Sequence, residues 1–207
     1  YVTDHCAQNV QIVPNGVDAS MFDPYLTGIE IRQEYGLQGR FIAMYAGAHG
    51  MSNDLNEVLR AAQVLEDTPQ IAVVLVGDGK EKSVLQDNAA RMGLKNVFFL
   101  PPVPKSRMAQ ALAASDACIA ILKPIPLYAT VYPNKVFDYM AAGRPVILAI
   151  DGVIRNVIEQ AGCGIFVQPG DHRALAEAIR WLANNREQAR EMGLQGRKFV
   201  EMNFDRE

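Results

Sequence analysis

Six short runs of apolar, strand-forming residues recur along the chain, each followed, directly or across a loop, by apolar positions at helical spacing. Phe41-Ile-Ala-Met-Tyr-Ala46 predicts a strand, and between Asn53 and Leu65 the residues Leu55, Val58, Leu59, Ala62 and Leu65 share one helical face. Ile71 to Val76 repeats the pattern. It precedes a helix from Glu81 to Met92 whose stripe is Val84, Leu85, Ala89 and Met92, with Gly93 as its stop. Val97 to Leu100 leads through three prolines to Ser106, an expected N-cap for a short helix through Leu112. Ala117 to Leu122 is the fourth run. The longest irregular stretch, Lys123 to Pro133, separates it from a helix over Asn134 to Ala142 that ends at Gly143. Val146 to Ile150 and Gly164 to Val167 complete the strands, with a helix from Val153 to Gln160 between them. Helices over Asp171 to Asn184 and Glu187 to Asn203 close the sequence.

The strand runs are continuously apolar rather than alternating, as a sheet covered on both faces requires, and this predicts parallel strands. Regular alternation of strand and helix predicts an α/β fold with an open, Rossmann-like, doubly wound parallel sheet. About six βα units are too few to close a barrel of eight. No repeat, low-complexity tract or linker divides the chain, so residues 1–207 read as one domain. In such a sheet ligands bind beyond the carboxyl ends of the strands, which directs attention to the loops after residues 46, 76, 100 and 122.

Composition narrows the picture. A chain of 207 residues that is 49% hydrophobic can build a full core without a staple. Cys6, Cys118 and Cys163 are too few and too scattered for a disulfide framework or a four-ligand zinc site, and a reducing, cytoplasmic setting is expected. Cys118, in an apolar strand, reads as core. The net charge of -3 argues against a nucleic-acid partner. No stretch approaches 18 apolar residues and Tyr-Val-Thr-Asp-His lacks signal-peptide character, so a soluble protein is expected. The absence of an initial methionine suggests sequence upstream.

Chemistry concentrates in three segments. Gly47-Ala-His49-Gly50 places small residues where the backbone turns before a helix, which suits an anion as well as a compact βα turn. It is not the dinucleotide fingerprint. Gly77-Asp-Gly79 carries Lys82 where a third glycine would stand, and reads better as a tight turn. Most informative is Tyr132 to Val146. There Asn134 can cap a helix whose first free amides, with Lys135 beside them, form a candidate pyrophosphate site. Asp138, three residues on, can accept both hydroxyls of a ribose, unless it simply pairs with Lys135 in a surface salt bridge. Among the remaining residues, His49 is open to a contact with a phosphate or sugar hydroxyl or to simple exposure in a polar turn, His172 is expected at the surface, Arg144 to fix a turn, and Trp181 to cover the core or an interdomain face.

The segments Ile12-Val-Pro-Asn-Gly-Val-Asp18, Val76-Gly-Asp-Gly79, Val97-Phe-Phe-Leu-Pro-Pro-Val-Pro-Lys105 and Phe137-Asp-Tyr-Met-Ala-Ala-Gly-Arg-Pro-Val146, in this order, resemble the C-terminal half of a family 4 retaining glycosyltransferase. Pro133-Asn-Lys-Val-Phe-Asp-Tyr-Met-Ala-Ala-Gly-Arg-Pro145 is most similar to the bacterial surface-polysaccharide branch. The resemblance implies a GT-B enzyme, in which two Rossmann-like domains face a cleft and the C-terminal one holds a nucleoside diphosphate sugar. It assigns Gly47, His49, Gly50, Asn134 and Lys135 to the donor diphosphate and Asp138 to the ribose. Pro102, Val103 and Pro104 would flank the base, and Thr130, Val131 and Tyr132 would face the sugar.

Two departures stand out. The family's first acid would fall at Thr130, which is not acidic, and the usual Arg and Lys pair for the diphosphate is absent around Gly47 to Asp54. Lys135 is the expected substitute, ahead of Lys105. The implied activity is hexosyl or acetamidohexosyl transfer to a lipid-linked or polysaccharide acceptor, in lipopolysaccharide, capsule or exopolysaccharide synthesis. It would need no cofactor or metal, and the full-length protein would work at the inner face of the cytoplasmic membrane. Catalytic residues are unassigned, and this half alone is expected to bind donor without transferring sugar. Rival readings are a GT-B sugar-nucleotide epimerase, which the Pro133 to Pro145 segment disfavours, and a non-catalytic sugar-nucleotide-binding domain.

Overall fold

The computed structural model describes residues 15–206, so Cys6 and the Ile12-Val13-Pro14 part of the first motif lie outside the described residues. Six strands, β1 (Phe41–Ala46), β2 (Ile71–Val76), β3 (Val97–Leu100), β4 (Ala117–Ile121), β5 (Val146–Ala149) and β6 (Gly164–Phe166), form one sheet. Every pairing is parallel and the order is β3-β2-β1-β4-β5-β6, so the winding direction reverses between β1 and β4. That is the doubly wound topology expected from the sequence.

Among the described residues eight α-helices accompany the strands: α1 (Ile29–Glu34), α2 (Leu55–Val64), α3 (Lys82–Arg91), α4 (Met108–Ala113), α5 (Asn134–Ala141), α6 (Val153–Ala161), α7 (His172–Asn184) and α8 (Arg186–Asn203). They cover both faces of the sheet. One core layer joins Ile42, Met44, Val74 and Cys118 to Phe137, Met140 and Val200, and the other joins Phe41, Ala43, Val73 and Ile119 to Leu59, Leu85 and Ile179. Because successive strand residues point to opposite faces and both faces are packed, β1, β2, β4 and β5 are buried throughout. No helix among the described residues is long and apolar enough to cross a membrane.

Local expectations fared unevenly. Asp171 caps α7, accepting from the Ala174 amide at 2.9 Å. Ser106 caps nothing: it lies inside a 3-10 turn over Lys105–Arg107, and α4 starts only at Met108. Asn134 is not a cap either but the first residue of α5, after Pro133 at the cap position. Val84 turns outward on α3, where Leu85 and Ala89 alone are buried. The terminal pair of helices meets one residue earlier than expected, at Arg186. His172 is not a free surface residue, since its Nδ1 lies 3.2 Å from Glu57 Oε2 and ties α7 to α2. Trp181 is half exposed and lines a groove with Ile165 and Phe166. The two ends of the described chain meet, because the Val17 amide donates to Phe204 O at 3.0 Å and the Arg206 amide donates to Val17 O at 3.1 Å.

Candidate functional site

The carboxyl ends of β1 and β2 carry two loops locked against each other. The His49 amide donates to Asp78 O at 2.8 Å and the Glu81 amide donates to His49 O at 3.0 Å. Lys82 Nζ donates to Gly77 O at 2.7 Å and Leu100 O at 3.3 Å, binding the ends of β2 and β3 together. The Gly77-Asp-Gly79 segment is therefore a tight turn with a structural task. His49 is wholly buried against Tyr45 and Phe99, and neither ring nitrogen has a partner among the described residues. Burial, reinforced by the Lys82 charge, lowers its pKa to about 4 and keeps it neutral. A phosphate contact through this ring would require the loop to open.

α5 delivers the two residues that the sequence singled out, and it sends them different ways. Tyr139 hydrogen-bonds the end of β1, its hydroxyl lying 3.0 Å from both Ala46 N and Ala46 O, and so fixes the helix against the strand. One turn earlier, Lys135 Nζ donates to Tyr45 Oη at 2.8 Å and Asn53 Oδ1 at 3.2 Å and sits 4.2 Å from the Tyr45 ring centroid. A Cβ on Gly47 would lie 3.1 Å from Nζ, so the cation stands beside the first loop. Burial lowers its pKa to about 8, and it has no carboxylate partner among the described residues. The alternative of a Lys135–Asp138 salt bridge does not form.

Asp138 faces a cleft of about 380 Å³ with Val103, Lys105, Asn134, Asp18 and Arg206. Its pKa is raised to about 6 by burial, against the opposing charges of Lys105 and Arg206. Of the three residues expected to flank the base, only Val103 lines this cleft; Pro102 and Pro104 are exposed. In the sugar-facing segment, Thr130 is exposed with its hydroxyl donating to Leu127 O at 2.9 Å, and Val131 is half-buried. The Tyr132 ring stacks on Phe137 at 6.4 Å between centroids, toward the core. Gly50 lies at the edge of the first loop near Asn53.

Two participants were not foreseen from sequence. Tyr45 reads as one more apolar strand residue, and Asn53 as a helix start, yet together they hold the Lys135 ammonium. No linear signal joins residues about ninety positions apart; only the pairing of α5 with β1 does.

The strand order β3-β2-β1-β4-β5-β6, with helices on both faces, makes this a Rossmann-like domain, and at its ligand edge stand a cation at one βα loop and a carboxylate in a cleft one turn along the same helix. The chain belongs to the glycosyl transferases group 1 family, whose model matches residues 29–199. It is 29% identical over 195 residues to the D-inositol 3-phosphate glycosyltransferase of Nocardia farcinica, covering 89% of this chain and 42% of that protein. It is 26% identical to the putative colanic acid biosynthesis glycosyl transferase WcaI of Escherichia coli, over 84% of this chain and 44% of the other. HepE from Anabaena, solved in complex with UDP-glucose, superposes with a TM-score of 0.82 at 21% identity, over 94% of this chain and 53% of its own. The chain thus spans less than half the length of the two curated relatives.

Proposed function

We propose that this chain is the donor-binding half of a retaining glycosyltransferase of family 4, which takes a hexosyl or acetamidohexosyl group from a UDP-sugar and builds bacterial surface polysaccharide. The observation that carries this reading is the divergence of Lys135 and Asp138 from one helix, the first to the Gly47 loop and the second to the Val103 cleft. On this reading the diphosphate lies on the Lys135 side and the ribose on the Asp138 side. As the bond to the diphosphate breaks, negative charge grows on the leaving group, and a preoriented ammonium stabilises that change. On this reading Lys135 supplies the cation and no metal is called for. The acceptor, lipid-linked or polysaccharide, would be brought to the donor by the other half at the cytoplasmic side of the membrane, where orientation contributes to the rate.

The UDP-glucose bound to HepE supports uridine as the first base to try. The name of WcaI supports a polysaccharide product, whereas that of the Nocardia relative specifies a small phosphorylated acceptor. The test is transfer by the intact protein from a panel of UDP-sugars, with the product's anomeric configuration read by NMR. Inversion at the anomeric carbon would overturn the retaining assignment, and epimerised donor without transfer would favour the rival reading.

Two further results are expected. Asp138→Asn should weaken binding of UDP more than of its 2′-deoxy counterpart, because a carboxylate accepts from both ribose hydroxyls and an amide oxygen less well. Calorimetry showing equal losses for both would remove Asp138 from the ribose. The affinity for a UDP-sugar should also be flat between two limbs. Below about 6 Asp138 gains a proton and loses acceptor capacity; above about 8 Lys135 loses its charge. Binding measured across pH should therefore weaken in both directions, and the alkaline limb should vanish in Lys135→Ala.

A further inference from the structure

A second concave site lies at the other end of the sheet. The amino ends of β1, β4 and β5 border a cleft of about 430 Å³ whose walls include Arg32, Arg144, Arg186 and Arg190, with Asp116 as an acid on the same walls. Asp116 is already engaged: its Oδ2 accepts from Arg32 Nη2 at 2.8 Å and from the Ile42 amide at 2.7 Å. Arg144 Nη2 donates to Leu26 O at 2.9 Å and Ala113 O at 3.2 Å, while its Nε is buried with no partner among the described residues. Arg186 lies 5.8 Å from the Phe41 ring centroid, and neither it nor the exposed Arg190 meets a carboxylate among the described residues. Burial lowers the Arg144 pKa, with Cys118 and Asp116 opposing it and the charges of Arg32 and Arg190 acting in the same direction as burial.

Like charges gathered in a concavity raise its potential, and a guanidinium presents a planar fork of donors that fits phosphate oxygens. One carboxylate carries a single charge and would leave two of the three unpaired guanidinium groups uncompensated. A compact phosphate carries more charge on more oxygens. The geometry points to this cleft as a binding site for a multiply charged phosphate group, remote from the donor edge and independent of the function proposed above. The phosphate could be that of a soluble anion or of a lipid headgroup, since apolar Leu26 and Tyr25 stand exposed at the rim.

The test uses the intact protein with inorganic pyrophosphate as the probe in calorimetry, on a Lys135→Ala background so that the donor edge contributes little. Pyrophosphate should bind this variant and bind at least tenfold more weakly once Arg186→Glu and Arg190→Glu are added. Both residues are exposed on α8, so an unchanged unfolding temperature is expected and checks that the fold persists. In a parallel arm the same proteins are sedimented with vesicles of phosphatidylcholine alone or with phosphatidic acid. Retention by the acidic vesicles that disappears with the charge reversals assigns the phosphate to a headgroup. Pyrophosphate binding without retention assigns it to a soluble anion. Equal behaviour of the proteins with and without the reversals, or no response to either probe, overturns the site.

Discussion

Replacing Lys135 with alanine is expected to weaken nucleoside diphosphate binding by about 1.5 to 3 kcal/mol, roughly tenfold to a hundredfold in affinity, while leaving the nucleoside nearly untouched. The loss follows from position. Nζ is held by Tyr45 and Asn53 beside Gly47, whereas Lys82 is bonded to two carbonyls and Lys105 lines the Asp138 cleft. The same substitution should not weaken the fold. A half-buried ammonium without a carboxylate carries a desolvation cost that alanine removes, so the unfolding midpoint should hold or rise. Titration calorimetry with UDP and uridine, alongside denaturant unfolding, checks both halves of the expectation. Equal loss for diphosphate and nucleoside would show that Lys135 does not meet the phosphates.

Gly77→Ala should be strongly damaging. Gly77 has φ of 141°, and a Cβ there would stand 2.0 Å from Gly47 O and 3.0 Å from Gly47 C, atoms of the backbone that cannot swing aside. The two loops would have to part, breaking the His49–Asp78 and Glu81–His49 hydrogen bonds and moving Gly47 relative to Lys135. A destabilisation on the order of 3 kcal/mol is expected, together with weaker UDP binding. Gly93→Ala supplies the comparison. Gly93 also has positive φ, 72°, but nothing lies within 4 Å of its Cβ position, so only the conformational cost of about 1 kcal/mol should appear. Similar unfolding midpoints for the two variants would mean that the close approach of the loops is not what requires glycine at 77.

At three residues' separation Lys135 and Asp138 were as compatible with a surface ion pair as with a ligand site. The ion pair fails because Tyr45 and Asn53 hold the ammonium on the β1 side, while Asp138 faces Val103 and the paired segments at Val17 and Arg206. The missing acid at Thr130 has no substitute in its own segment, where Thr130 is bonded to Leu127 and Tyr132 is turned onto Phe137.

By itself the sequence determined the strands, the helices that alternate with them and the sheet class, since these rest on local patterns: continuous apolar runs such as Ile71 to Val76, and stripes such as Leu55 to Leu65. It also placed the candidate diphosphate and ribose residues on one helix, because the motif around Asp138 is contiguous. Cap and face assignments failed where the choice was not local. Ser106 and Asn134 have the chemistry of caps, but the preceding prolines and the docking of the chain set where each helix begins, and Val84 lost its place in the core because α3 offers the sheet a narrow face. Only the tertiary structure decided that Lys135 stands on Tyr45, that His49 is shut between two loops, and that four arginines scattered from residue 32 to residue 190 share one cleft. Each is a contact between segments distant in sequence. No periodicity along the chain encodes such a meeting; the order in which parallel strands assemble does.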